Sequence, residues 1–193
     1  MKTKLLLIGL LVFNTGSAYS QNPEDQKNQI RLEAGYAFTG SGDLEGYCFY
    51  NEYSRSVGNR FKIAPSIGIL NFFRAAPDVQ ILQAVNGISL DLTGYFYPLK
   101  KAGFEIETGL GFYVRNWHWI YATGPDQTYG AGNHIIGPGS YFDEYNTAPG
   151  YIISIGTVTR ISKRLGTSIR GVYQNDTNGN NSVTVRFGLR IGL

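Results

Sequence analysis

The stretch VTVRFGLRIGL, residues Val183–Leu193, places an apolar side chain at every second position up to the final residue of the sequence. Alternation with a period of two is typical of a β-strand with one apolar and one polar face. The polar face carries Arg186 and Arg190 in the middle of the strand. Because an unpaired charge in apolar surroundings costs several kcal/mol, these arginines must face water or opposite charges.

The same alternation recurs in seven earlier segments, and no segment favours a helix of ordinary length. The predicted strands span residues 28–39, 45–54, 60–71, 87–98, 103–115, 150–161, 165–174 and 182–193. The second, fourth and sixth connections are short, whereas the third, residues 72–86, and the fifth, residues 116–150, are longer. The strand lengths match the roughly 9 to 11 tilted residues that cross a hydrocarbon core. We therefore predict an all-β fold, an eight-stranded antiparallel up-and-down transmembrane β-barrel with both termini in the periplasm.

The charged faces of the predicted strands are expected to meet inside the barrel, because eight strands enclose just enough room for side chains. The predicted interior charge network consists of Arg31, Glu33, Asp91, Glu105, Glu107, Arg115, Arg160, Arg170, Arg186 and Arg190. Simple antiparallel register predicts ion pairs of Glu105 with Arg160 and of Glu33 with Arg190. A polar core in which these charges bind one another is favoured over a proton or ion pathway.

Aromatic residues favour a membrane over water for this barrel, since a soluble lipocalin-like barrel would show the same alternation. They cluster where predicted strands meet connections. The predicted periplasmic belt holds Tyr53, Phe61, Phe96 and Phe104, and the predicted outer belt holds Tyr36, Phe38, Trp117, Trp119, Tyr151 and Tyr173. Amphipathic rings favour both membrane interfaces, so two belts predict a transmembrane barrel.

Residues 1–20 are predicted to be a cleaved signal peptide, which implies export. Lys2 and Lys4 precede the apolar run of residues 5–13, and Ala18 and Ser20 are small residues at the cleavage spacing. The apolar run is far shorter than the roughly 20 residues of a membrane-spanning helix. Residues 21–27 form a short polar lead, and residues 28–193 are assigned to the barrel.

The composition excludes several other classes of protein. The mean hydropathy is −0.16, and no second apolar stretch is long enough for a membrane-spanning helix, so a helical membrane protein is excluded. The net charge of +3 is spread along the chain without a block of like charges, and no nucleic-acid partner is expected. Cys48 is the only cysteine, so no internal disulfide can form.

Three segments carry a resemblance to a known family: SLDLTGYFYPLK at Ser89–Lys100, residues 104–115 with glycines at 109 and 111, and the closing strand. On these the chain resembles the small outer-membrane barrels of the OmpA transmembrane-domain and OmpX type over residues 28–193. The resemblance implies a Gram-negative outer membrane, contact with its lipids, and insertion by the outer-membrane machinery. The family's last strand usually ends in an aromatic residue, whereas this one ends in Leu193.

Catalytic and metal-binding motifs are sparse. Lipid A deacylases and palmitoyltransferases on this fold need a histidine acting with a serine and a carboxylate. The two histidines, His118 and His134, both lie in the fifth connection, and neither has a serine two residues away. The stretch Asn175–Asn180 resembles a calcium loop but lacks the downstream glutamate, and a hairpin turn is favoured. We predict no catalytic, cofactor or metal site.

The fifth connection exceeds what the scaffold requires, since loops beyond about 15 residues are usually functional or disordered. Its candidate interaction residues are Trp117, His118, Trp119, Tyr121, Tyr129, Tyr141, Phe142 and Tyr145. Aromatic residues among glycines suit recognition of an extracellular protein or a glycan. The sequence thus predicts a monomeric, non-enzymatic outer-membrane barrel with a structural or surface-interaction role. The alternatives are a lipid-modifying enzyme of the deacylase or acyltransferase type, and a narrow pore or small-molecule-binding barrel.

Overall fold

The computed structural model describes residues 27–40, 44–76, 81–101, 103–122 and 141–193. Eight strands make up almost all of these residues. They are β1 (Asn28–Thr39), β2 (Glu45–Ser56), β3 (Phe61–Ala76), β4 (Ile81–Lys101), β5 (Phe104–Ala122), β6 (Tyr141–Arg160), β7 (Leu165–Asp176) and β8 (Asn181–Gly192). In the part of the chain that is described, no helix is long and apolar enough to cross a membrane.

The strands form one closed antiparallel barrel in which each strand pairs with its sequence neighbours. β8 closes on β1 with a continuous register from Gln29 opposite Gly192 to Thr39 opposite Ser182. The predicted fold, an eight-stranded antiparallel up-and-down barrel, is confirmed. Gly103, which precedes β5, and Gly179, in the β7–β8 turn, have φ values of 84° and 80°. Glycine tolerates this left-handed conformation better than other residues.

The middle strands are longer than the sequence pattern predicted. β5 and β6 pair from Phe104 opposite Thr159 to Ala122 opposite Tyr141, so the predicted connection of residues 116–150 is wrong at both bounds. Similarly, β3 and β4 continue to Ala76 opposite Ile81. Backbone pairing extends these strands beyond the point where apolar alternation fades. The predicted signal peptide, residues 1–20, lies outside the described residues, and so does the predicted lead, residues 21–27, except for Lys27.

The two faces of the sheet differ sharply in exposure. Apolar side chains such as Leu110, Phe112 and Ile155 point outward and are 69%, 75% and 64% exposed. Charged side chains point inward, where Arg31 is 2% and Glu107 0% exposed. The apolar side of each strand therefore faces the surroundings, while the charges meet inside the barrel.

The aromatic belts agree with the prediction except at two tryptophans. Outward-facing, exposed rings include Tyr36, Phe38, Tyr53, Phe61, Phe96 and Tyr151. Trp117 is instead 3% exposed, and Trp119 packs partly buried against the same interior cluster. The odd-numbered residues of β5 face inward, and because the strand continues in register to Ala122, these two rings follow the inward face.

Candidate functional site

The centre of the barrel interior holds two arginines and three glutamates from four strands. Arg31 of β1 donates to both carboxylate oxygens of Glu107 of β5, each at 2.7 Å. Arg170 of β7 donates from Nε to Glu33 Oε1 at 2.8 Å and from Nη2 to Glu33 Oε2. It also donates from Nη1 to Glu52 Oε2 at 3.0 Å. Such charge-assisted, bidentate pairs are the strongest hydrogen bonds of proteins.

Tyrosines extend this central network. Tyr95 Oη donates to Glu52 Oε2 at 2.6 Å, and Tyr97 Oη donates to Glu107 Oε2 at 3.0 Å. The guanidinium of Arg170 also contacts the Tyr95 hydroxyl. Sequence reasoning missed Glu52, Tyr95 and Tyr97 as network members. The signal was present in the alternation, since Glu52 lies between Asn51 and Tyr53, which face outward.

Towards the end that holds both the start of β1 and the end of β8, Glu105 binds two arginines. Arg190 Nη1 donates to Glu105 Oε2 at 2.8 Å, and Arg160 Nη2 lies 3.7 Å from Glu105 Oε1. The predicted pair of Glu105 with Arg160 is confirmed. The predicted pair of Glu33 with Arg190 is wrong. Arg190 lies opposite Arg31 in the register, so its side chain is directed away from that charge and towards Glu105, while Glu33 binds Arg170.

Towards the other end, the interior is both polar and aromatic. Arg115 Nη2 donates to Gln174 Oε1 at 2.5 Å, and Gln174 Nε2 donates to Asp91 Oδ2 at 3.3 Å. The guanidinium carbon of Arg186 lies 3.5 Å from the centroid of the Tyr50 ring, a cation–π contact. Above this layer, a buried apolar cluster of Leu44, Cys48, Leu70, Phe72, Val85 and Trp117 fills the interior.

Together these layers fill the barrel with interlocked side chains. The predicted network residues Arg31, Glu33, Asp91, Glu105, Glu107, Arg115, Arg170, Arg186 and Arg190 are all buried, and Arg160 is partly buried. Buried carboxylates and guanidinium groups that bind one another compensate for their loss of hydration. The arrangement suits a rigid plug better than a path for ions.

The ends of the middle strands form a second candidate site. It lies at the end of the barrel opposite the start of β1 and the end of β8. There the pairing of β2 with β3 ends at Glu45 opposite Phe73, and the pairing of β6 with β7 ends at Gly150 opposite Asp176. The strands β3, β4, β5 and β6 continue beyond these two pairs. We call residues 74–76, 81–83, 118–122 and 141–148 the projecting sheet. The aromatic residues expected in the fifth connection thus include strand residues.

The candidate interaction residues divide between several environments. His118 and Tyr145 lie on the outer surface, with ring centroids 4.1 Å apart and an angle of 5° between the planes. Trp117 is interior, where Nε1 donates to Asp176 Oδ2 at 3.0 Å. The backbones of Tyr121, Tyr141 and Phe142 belong to the projecting sheet. Tyr129 and His134 lie outside the described residues.

Two candidates for catalytic or metal-binding chemistry, His118 and the stretch Asn175–Asn180, lie within the described residues. No group of three or more His, Cys, Asp or Glu side chains among them could hold a metal ion. His118 stacks on Tyr145 rather than pointing into a cleft. The stretch Asn175–Asn180 is a hairpin turn in which Asp176 Oδ1 accepts from the backbone N–H groups of Asn178 and Asn180, at 3.0 and 2.9 Å.

A closed eight-stranded sheet with an apolar outer surface and a filled, charged interior defines a small outer-membrane-type β-barrel. Neisserial surface protein A is similar to this chain with a TM-score of 0.64 and 11% identity, over 86% of this chain and 97% of that one. A major outer membrane protein from Thermus thermophilus is similar with a TM-score of 0.51 and 10% identity, over 85% of this chain and 98% of that one. OprG from Pseudomonas aeruginosa is similar with a TM-score of 0.51 and 9% identity, over 87% of this chain and 98% of that one.

No protein-family model and no curated protein matches the sequence. The chain has the fold of the small outer-membrane β-barrels. At identities of about a tenth, the solved structures establish the fold alone.

Proposed function

We propose that this chain is a non-enzymatic protein of a Gram-negative outer membrane, a closed barrel that presents the projecting sheet to the cell exterior for binding an extended segment of another protein. The apolar outer face and its aromatic belts support the membrane placement. The short turns at residues 57–60 and 161–164 lie at the end holding both strand termini, which supports a periplasmic location for that end.

The filled interior supports anchoring rather than transport. Arg31, Arg170 and Glu107 meet across the middle of the barrel, and the apolar cluster around Phe72 and Trp117 lies towards the outer end. The purified protein in planar bilayers is therefore expected to show no discrete conductance steps. Regular steps would contradict a closed interior and favour a narrow pore.

The observation that carries the binding proposal is the edge of β6. Residues 150–160 pair with β7, and the Pro149 carbonyl oxygen accepts from Thr177 N–H at 3.0 Å, but residues 141–148 have backbone pairing only with β5 within the described residues. Asn178 Nδ2 donates to Asn146 Oδ1 at 3.0 Å, so the β7–β8 turn covers the lower part of this edge. On this side, residues 141–145 present main-chain groups that pair with none of the residues described, and such groups form a template for strand addition.

A labelling experiment tests the placement. Tyr145→Cys and Lys163→Cys are introduced separately into a Cys48→Ser background and treated with a membrane-impermeant maleimide in intact cells. We expect labelling at position 145 and not at position 163, since the two side chains lie at opposite ends of the barrel. Labelling of neither position, or of position 163 alone, would contradict the proposed placement.

A peptide experiment tests strand addition. Peptides are selected from a displayed random library on the folded protein in lipid nanodiscs, and each amide of the best binder is then N-methylated in turn. Because only alternate main-chain amides of an added strand face the sheet, affinity should fall about tenfold or more at every second position. Loss without this period, or no selected peptide, would contradict the proposal.

Variants of the protein locate the binding site. Tyr145→Pro removes a main-chain donor on the open side of β6 and fixes φ, and should weaken peptide binding. The open side follows from the pairing, since Pro149 O accepts from Thr177 N–H and alternate residues of β6 face the same side. Tyr145→Phe is the matched control, since it keeps the ring and the backbone donor. Equal binding to both variants would place the peptide elsewhere and contradict the role of the β6 edge.

A further inference from the structure

Exposed charges are segregated between the two ends of the barrel. Six exposed basic side chains lie around the end with the strand termini, and we call them the basic collar: Lys27, Arg55, Arg60, Lys101, Lys163 and Arg164. At the opposite end the exposed charged side chains that the structure describes are Glu45 and Glu144. A chain of small net charge therefore has a strongly basic end, although its charges are spread along the sequence.

The collar is not neutralised by the described carboxylates. The one described acidic side chain near it, Glu105, is 4% exposed and already binds Arg190 and Arg160. None of the six collar residues has a nitrogen within 4.0 Å of an oxygen of a described carboxylate. Within the part of the chain that the structure describes, the charge of the collar is therefore not compensated.

The position of the collar is that of a membrane interface. Arg55 follows the outward-facing Tyr53 by two residues on β2, and Arg60 directly precedes Phe61. Phe61 and Phe96, 55% and 36% exposed, pack with ring centroids 5.0 Å apart on the outer face. Aromatic rings favour the interfacial region, and basic side chains just beyond them reach the headgroup level.

We propose that the basic collar binds the phosphate-bearing headgroups of anionic phospholipids in the periplasmic leaflet. The inference rests on the proposed membrane placement and orientation. Several cations around a rim match a ring of separate headgroups, and each basic residue near an anionic surface adds attraction. The cavity beside Arg160, Lys163 and Arg164 is about 10 Å³, which is too small for a headgroup. The headgroups therefore bind on the surface of the collar.

Brominated-lipid quenching of a collar fluorophore provides the test. Phe61→Trp places the reporter on the outer face, and the protein without this substitution gives the background of Trp117 and Trp119. Phosphatidylcholine vesicles carry either brominated phosphatidylglycerol or brominated phosphatidylcholine, and the ratio of quenching gives the relative affinity. In the reporter protein we expect a preference of about fivefold or more for phosphatidylglycerol, the effect of one to two surface basic residues.

Two variants in the reporter background separate the collar from the general charge of the protein. Arg60→Gln, Lys101→Gln, Lys163→Gln and Arg164→Gln together should bring the preference close to onefold. Glu45→Gln with Glu144→Gln, the matched control at the opposite end, should leave it unchanged. High salt should weaken the preference, since exposed charges are screened over about 3 Å at 1 M.

The outcomes are distinguishable. A preference for phosphatidylglycerol below about twofold would overturn the lipid assignment. So would a preference that remains in the variant with four collar substitutions. So would retention by purified peptidoglycan that depends on the same four residues without any lipid preference. If the fourfold variant does not show heat-modifiable migration, Lys163→Gln with Arg164→Gln replaces it. Failure of the unsubstituted protein to insert into vesicles would instead contradict the membrane placement itself.

Discussion

Removal of the Arg170 guanidinium tests whether the interior network stabilises the closed barrel. Arg170→Met keeps a long side chain but leaves Glu33 and Glu52 without their nearest cationic partner. The guanidinium makes two hydrogen bonds to Glu33 and one, at 3.0 Å, to Glu52 Oε2. Both glutamates are at most 4% exposed, so water cannot replace these bonds.

The expected loss follows from these contacts. Hydrogen bonds to charged groups contribute about 1.5 to 3 kcal/mol each, which gives roughly 5 to 9 kcal/mol for three bonds. The guanidinium no longer needs to be desolvated, and this offsets several kcal/mol of that loss. We expect the free energy of unfolding to fall by about 4 kcal/mol, close to a thousandfold in the equilibrium constant.

The assay is a urea titration of the protein in lipid vesicles, with the folded fraction measured from unheated gel migration. Arg164→Met, at an exposed turn position, is the matched control and should change stability by about 0.5 kcal/mol or less. Glu33→Gln combined with Arg170→Met should lose less than the sum of the single variants, because the two groups interact directly. A loss below about 1 kcal/mol for Arg170→Met, or strict additivity, would refute a stabilising central network.

Two further substitutions follow from the backbone and from the outer face. A Cβ at Gly111 would lie 2.3 Å from the Leu92 carbonyl oxygen, whereas one at Gly94 would lie 3.7 Å from its nearest neighbour. Gly111→Ala should therefore lower the free energy of unfolding by about 1 to 3 kcal/mol in the same urea assay. Gly94→Ala, the matched control, should be neutral or stabilising. Asn51 is exposed on the outer face in the middle of β2, and its side chain has no partner among the described residues, so Asn51→Leu should raise the unfolding free energy by about 1 to 3 kcal/mol in vesicles. Asn116→Leu is the control, since Asn116 Nδ2 already donates to Thr147 Oγ1 at 2.7 Å. An equal rise in the free energy of unfolding for Asn116→Leu, or a fall for Asn51→Leu, would show that the Asn51 side chain has a hydrogen-bond partner in the membrane.

The sequence alone determined the number of strands and which face of each strand is apolar. Both follow from a local rule, since successive side chains of a strand point to opposite sides. Alternation over residues 183–193 and over 104–115 was enough to assign the outward and inward faces, and β1 has the predicted bounds. The same rule places Trp117 on the inward face once β5 is known to continue to Ala122. The apolar alternation ends near Asn116, however, and did not predict that the strand continues.

Only the tertiary structure decided which charges meet. Arg31 binds Glu107, 76 residues away on a strand across the interior, because the closed and staggered sheet brings non-adjacent strands together. For the same reason Arg190 reaches Glu105 rather than Glu33. The grouping of Lys27, Arg60 and Lys163 at one end likewise arises because alternate turns return the chain to that end. Local patterns fix the direction of a side chain, whereas its partners depend on register and closure, which no short stretch of sequence specifies.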